Sequence, residues 1–255
     1  ISVDQAADVA RESADVVLLR PDLGVLCQGV DDGRRTFSNT LKYIGITTSA
    51  NFGNMVSMAL AAPLLPFLPP AAEPGMLLDG LPDFAAPPNA GDRAALHRLA
   101  SAQHWDVHDL RRYMLVFGLT STVFDLLTFA LLLKVFEAPE ALFQTTWFVV
   151  SLLTELVVLL VLRTHHRAWR SRPSTLLWTS TAVVAALALA LPYITPLAGL
   201  FGMVRLPLTL LGSVLLIVLA YGAATEFVKS RFYAKPSRRR RMPTTQPTSD
   251  GSTAN

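Results

Sequence analysis

Four stretches of this 255-residue chain are almost wholly apolar: Met114–Phe136, Leu142–Leu162, Thr175–Ile194 and Leu206–Ala224. A bilayer core takes about 20 such residues per helix, so each is long enough to cross it. A soluble helix keeps one polar side, and a run such as ALALALPYI has none. A fifth stretch, Ile44–Leu68, has the length but carries several Thr, Ser and Asn residues. Charged residues make up 16% of the chain, against about a quarter in soluble domains. The fold class read from this is mainly α: a polytopic membrane helical bundle of five clear spans.

The net charge is +3, but its placement argues against a nucleic-acid partner. Basic residues flank the apolar blocks, as orientation signals do. Arg34, Arg35 and Lys42 precede the first span, and Arg93, Arg98, Arg111 and Arg112 precede the second. Arg163, Arg167, Arg170 and Arg172 lie between two later spans, and Lys229, Arg231, Lys235 and Arg238–Arg241 follow the last. The positive-inside rule then puts the N-terminal head, the loops at 87–113 and 163–173 and the C-terminal tail in the cytoplasm. The arginine run of the tail suits a topology anchor, or attraction to anionic lipid. Head and 87–113 loop share a side only if the chain crosses once more between them. The one candidate is Met76–Ala86, a degenerate sixth segment that is short and holds two Asp and a Pro. Broken segments survive at membrane depth where they line protein or water.

Residues 1–43 read as soluble: a helix-favouring Ala6–Ser13, a β-type Val16–Leu19, and Asp22 as the N-cap of a helix from Leu23. No breaker apart from Gly45 and Gly53 interrupts the path from Thr36 to Ala62. One continuous helix is therefore expected to join head and membrane. The chain begins at Ile1 with a helix-like segment at once, which suggests further sequence upstream. Cys27 is the single cysteine, so an internal disulfide and a cysteine metal cluster are excluded.

The polar residues at membrane depth carry the chemistry. Thr47, Asn51, Asn54 and Ser57 are spaced four, three and three apart, which reads as one helix face. Amide and hydroxyl oxygens suit a hard cation such as Mg²⁺; the same residues also suit close helix packing. Asp79 and Asp83 belong either to an ion pathway or to an exposed loop. Asp125 and Glu155 sit near the centres of two spans, where acids pair within the bundle or line a path. His104 and His108 have a metal-binding spacing, but an amphipathic loop helix accounts for them as well. A Walker-type glycine loop and a metalloprotease signature are absent from the sequence.

Several of these runs together resemble the P-type ATPases, in particular the bacterial magnesium-translocating subfamily. ADVVLL, GRRTFSNTLKYI and SANFGN come in the family's order and spacing, followed by HWDVHDLRRYMLVFG, STVFDLLTF, FQTTWFVVSLLTELVV and LPLTLLGSV. The resemblance covers about residues 1–233. It implies that 1–43 are an α/β remnant of the phosphorylation domain with its stalk. Residues 44–86 would be the fifth membrane helix and the degenerate sixth segment, 87–113 a cytoplasmic loop, 114–233 the seventh to tenth helices, and 234–255 a disordered basic tail. Asn51, Asn54 and Asp83 would bind the cation, with Asn51 and Asp83 as metal ligands and Thr47, Ser57, Asp125 and Glu155 as further polar lining. Glu155 stands where related pumps more often carry Gln. The implied function is ATP-driven Mg²⁺ translocation, Mg²⁺ being the transported ion. The implied partners are the lipid bilayer and an N-terminal part of the pump as a separate chain, and the implied site is the inner (plasma) membrane.

The family's DKTGT and GDGxND motifs are not in these 255 residues. The chain by itself is therefore expected not to hydrolyse ATP. A non-enzymatic or truncated membrane protein, and a piece of a calcium or monovalent-cation pump, are the alternatives.

Overall fold

In the computed structural model, the structure describes residues 1–20, 22–63, 65, 106–164, 167–168 and 173–234. The head opens with strand β1 (Ser2–Val3), helix α1 (Asp8–Glu12) and strand β2 (Val17–Leu18). The strands pair in parallel, Ser2 opposite Val17 and Val3 opposite Leu18.

Helix α2 (Leu23–Ala61) then runs 39 residues without a break, a length of about 58 Å. Asp22 caps it as expected, its carboxylate accepting from the Gly24 N–H at 2.7 Å. The helix runs to Ala61, and residues 64 and 66–68 of the stretch read as reaching Leu68 lie outside the described residues. Pro63 follows two residues on, and it lacks the N–H that would continue the helix ladder to the Ala59 carbonyl.

Among the described residues, four helices after α2 are long and apolar enough to cross a membrane, and α2 itself is not one of that set. They are α3 (Val107–Lys134), α4 (Glu140–Leu162), α5 (Thr175–Ala190) extended by a 3-10 turn (Leu191–Tyr193), and α7 (Leu208–Ala234). Between α5 and α7 lies the short α6 (Thr195–Leu200). It closes with Met203 N–H donating to the Ala198 carbonyl at 2.7 Å, and Gly202 N–H to Gly199 at 3.4 Å. Gly202 supplies the left-handed residue (φ 63°) that this ending requires.

α2 and α3 run parallel, since Gly45 meets Tyr113, Gly53 meets Gly118, and Ser57 meets Asp125. Arg34, Arg35 and Lys42 of α2 and Arg111 and Arg112 of α3 therefore lie toward one end of the bundle. α7 runs antiparallel to α3: Phe232 packs on Tyr113 and Phe117 at the basic end, and Tyr221 on Phe124 further in. α4 is the most buried helix, with Phe148, Val149, Val150 and Leu152 at its centre. In contrast, α5 and α7 turn Trp178, Val183, Leu216 and Leu219 outward, the surface a lipid-facing helix presents.

A polar cluster inside the helix bundle

The cluster starts from a stripe of small residues. Ser49, Gly53 and Ser57 recur every four residues on α2, and Gly118, Ser121, Thr122 and Asp125 form the facing row on α3. Without a hydrophobic drive between helices in lipid, contact depends on how closely the backbones approach. Here they approach as far as glycine allows. A Cβ on Gly53 would stand 2.9 Å from the Gly118 carbonyl oxygen, and one on Gly118 would stand 2.9 Å from that of Ser49.

The close approach brings polar groups across the interface. The Thr122 hydroxyl lies 3.1 Å from the Gly118 carbonyl of its own helix and 3.2 Å from the Gly53 carbonyl of α2. One turn on, Ser57 Oγ lies 2.7 Å from the Gly53 carbonyl and 2.6 Å from Asp125 Oδ2. Ser57 is 0% and Asp125 2% exposed. Tyr221 of α7, buried, packs on Phe124 of α3 beside the cluster, the ring centroids 5.3 Å apart.

The structure therefore joins some of the expected site residues and separates others. Ser57 and Asp125 are in direct contact, and Glu155 is half-buried on α4. Asn51 does not share their side: it is exposed, while Thr47 and Asn54 are half-buried. The single face inferred from spacing is in fact two. From 51 to 57 the helix turns six residues, which leaves the two side chains about 120° apart. Asp79, Asp83 and the whole of 76–86 lie outside the described residues, as does His104. His108 is exposed in the first turn of α3, where its N–H binds the capping Asp106 at 2.8 Å. Among the described residues, no three His, Cys, Asp or Glu side chains converge as a metal would need.

Two of the basic residues expected as orientation signals are buried in the bundle. Lys229 is 1% and Arg163 3% exposed. Lys229 Nζ donates to the Val161 carbonyl at 3.0 Å and pairs with Glu226 at 2.7 Å, while Glu226 also accepts from the Ala168 N–H at 3.4 Å. Together these close the C-terminal end of α4 onto α7. The i,i+3 spacing of Glu226 and Lys229 was the available signal. Tyr221, Gly53 and Gly118 carried less signal, because nothing local in sequence distinguishes a packing glycine from a tolerated one.

Comparison with known proteins gives this bundle its context. The family described as cation transporting ATPase, C-terminus, matches residues 76–231. The chain is 40% identical over 240 residues to magnesium-transporting ATPase, P-type 1, of Salmonella typhimurium and equally to that of Escherichia coli K12. Each alignment covers 92% of this chain and 26% of the relative, so the chain spans about a quarter of their length. The endoplasmic reticulum calcium ATPase srcA of Aspergillus fumigatus is 34% identical over a shorter 104 residues, 38% of this chain. The chain belongs to the cation-transporting P-type ATPases and carries the C-terminal, membrane-helical part of such a pump.

Proposed function

We propose that this chain forms the rear of the ion path in a pump that moves Mg²⁺ across the plasma membrane. The observation that carries the reading is the likeness to magnesium-transporting ATPases along 92% of the chain, against 38% for the calcium ATPase. Mg²⁺ prefers oxygen ligands in near-octahedral geometry and keeps some of its water. Asn51 and Asn54, with Asp83, supply oxygen donors of that kind. Asn51 lies on the side of α2 away from the Ser57–Asp125 contact, where its amide is available to a further element. Thr47 and Glu155 would line the path.

α2 would transmit the work, being one rigid rod from the head into the bundle. Head and tail would face the cytoplasm, where the basic ends of α2, α3 and α7 gather. The residue that is phosphorylated and the nucleotide site would come from outside these 255 residues, on further sequence or on a partner chain.

Magnesium uptake in cells stripped of their own magnesium transporters tests this. The chain would be expressed alone and together with a DKTGT-bearing N-terminal part. Uptake should need both parts, and Asn51→Ala or Asp83→Asn should abolish it. Uptake of calcium in preference to magnesium, or full uptake in both variants, would overturn the assignment.

A further inference from the structure

The connection from α5 to α7 sits at the end of the bundle away from the basic residues. Lys229 of α7 meets the Val161 carbonyl at the C-terminal end of α4. Val204 N–H instead donates to Thr145 Oγ1 at 3.0 Å, near the start of that helix. Two measures set the depth of the connection. The span Thr175–Tyr193 rises about 30 Å, and a bilayer's hydrocarbon core is about 30 Å thick. Thr145 is five residues into α4, about 8 Å along it. α6 and the return to α7 therefore lie where acyl chains meet headgroups.

Irregular backbone survives at that depth only if its polar groups have partners. Here the protein supplies them. Ala198 N–H donates to the Ile194 carbonyl at 2.8 Å, and Met203 N–H to that of Ala198 at 2.7 Å. Thr145 accepts from Val204 while donating to the Ala141 carbonyl. The Tyr193 hydroxyl donates to the Leu206 carbonyl at 2.9 Å. Pro192, Pro196 and Pro207 have no N–H to satisfy.

The side chains divide the same way. Ala198, Met203 and Leu206 are buried, whereas Tyr193, Ile194, Leu197 and Leu200 are exposed, Leu200 to 69%. This apolar patch continues the outward faces of its neighbours, with Leu187 before it on α5 and Leu208 after it on α7. Tyrosine is enriched at the membrane–water boundary, where its ring is in lipid and its hydroxyl is not. Arg205 is exposed too, and its stem is long enough to carry the charge to headgroup phosphates.

We propose that residues 193–205 form an interfacial anchor whose partner is the phospholipid surface itself. α6 lies along that surface, its Leu197 and Leu200 side among the upper acyl chains and its Thr195 side toward the headgroups. The two sides follow from the helical turn, which sets Leu200 about 140° round the axis from Thr195. The anchor fixes the depth of the hairpin formed by α5 and α7, whichever cation the pump carries.

Spin labels on the full chain in phospholipid nanodiscs test this, placed singly at Thr195→Cys, Leu197→Cys and Leu200→Cys in a Cys27→Ser background. Labels at Leu216→Cys, outward on α7, and Val9→Cys, exposed in the head, serve as lipid and water references. Power saturation compares relaxation by oxygen, which concentrates among acyl chains, with relaxation by a water-soluble nickel chelate. The labels at 197 and 200 should respond mainly to oxygen, as at 216, and the label at 195 should shift toward the chelate. A label at 200 that behaves as the one at 9 would overturn the anchor in favour of an aqueous loop. Protection from both reagents would overturn it in favour of cover by protein. Equal responses at 195 and 200 would overturn the orientation of α6.

Discussion

Gly53 of α2 and Gly118 of α3 meet backbone to backbone: a Cβ on the first would lie 2.9 Å from the carbonyl oxygen of the second. That approach sets the spacing at which Ser57 reaches Asp125 and Thr122 reaches Gly53. Gly53→Ala should therefore cost about 1–3 kcal/mol, because the obstructing atom is main chain and cannot swing aside. Gly118→Ala should cost a similar amount, meeting the Ser49 carbonyl as well as the Phe52 ring. Gly212→Ala, with open space around it, should instead gain up to about 1 kcal/mol from helix propensity. Unfolding in a denaturing detergent, followed by circular dichroism, separates the three.

The pair of Glu226 and Lys229 lies almost wholly inside the protein, with side chains 11% and 1% exposed. Removing one partner of a buried pair leaves the other uncompensated, which costs about 3–5 kcal/mol. Lys229→Met and Glu226→Gln should each show such a loss in the same unfolding assay. The double variant should recover a good part of it. Additive losses would mean that the two charges do not stabilise each other.

Two helix starts depend on a single aspartate. Asp22 accepts from Gly24 N–H at 2.7 Å, and Asp106 from His108 N–H at 2.8 Å and Asp109 N–H at 3.4 Å. Substituting either by Ala should cost about 1 kcal/mol locally. Hydrogen exchange should accelerate in the first turn of α2 or α3 and remain unchanged at Leu152.

Leu152 of α4 is fully buried, whereas Leu216 of α7 is 69% exposed on the outer face. Leu152→Ala should cost about 2 kcal/mol or more through the cavity it leaves. Leu216→Ala should change stability by less than about 0.5 kcal/mol, since lipid tails fill the lost volume and are as apolar as leucine. A ratio near one would argue that α7 packs its outer face against protein.

Much of the architecture is readable from residue order. The apolar blocks at Leu142–Leu162 and Thr175–Ile194 correspond closely to α4 and to α5 with its 3-10 turn. The ends of the other helices were harder to place. α3 starts at Val107 and α7 continues to Ala234, because polar turns extend a membrane helix whenever a cap or a packing partner holds them. Asp106 does this for α3. For α7 it is Phe232, packed at a tilt on Phe117 with Arg112 over its ring at 5.0 Å.

By itself the amino-acid order determined the class, a bundle of membrane helices with basic flanks, and the long helix joining it to the head. Those properties follow from hydropathy and backbone preference, which act locally along the chain. Only the tertiary structure decided that Ser57 belongs with Asp125 and not with Asn51, and that Lys229 and Arg163 are buried. It also decided that Gly53 exists for the sake of Gly118. Each of these depends on which face of a helix meets another, and periodicity specifies a face without naming its partner.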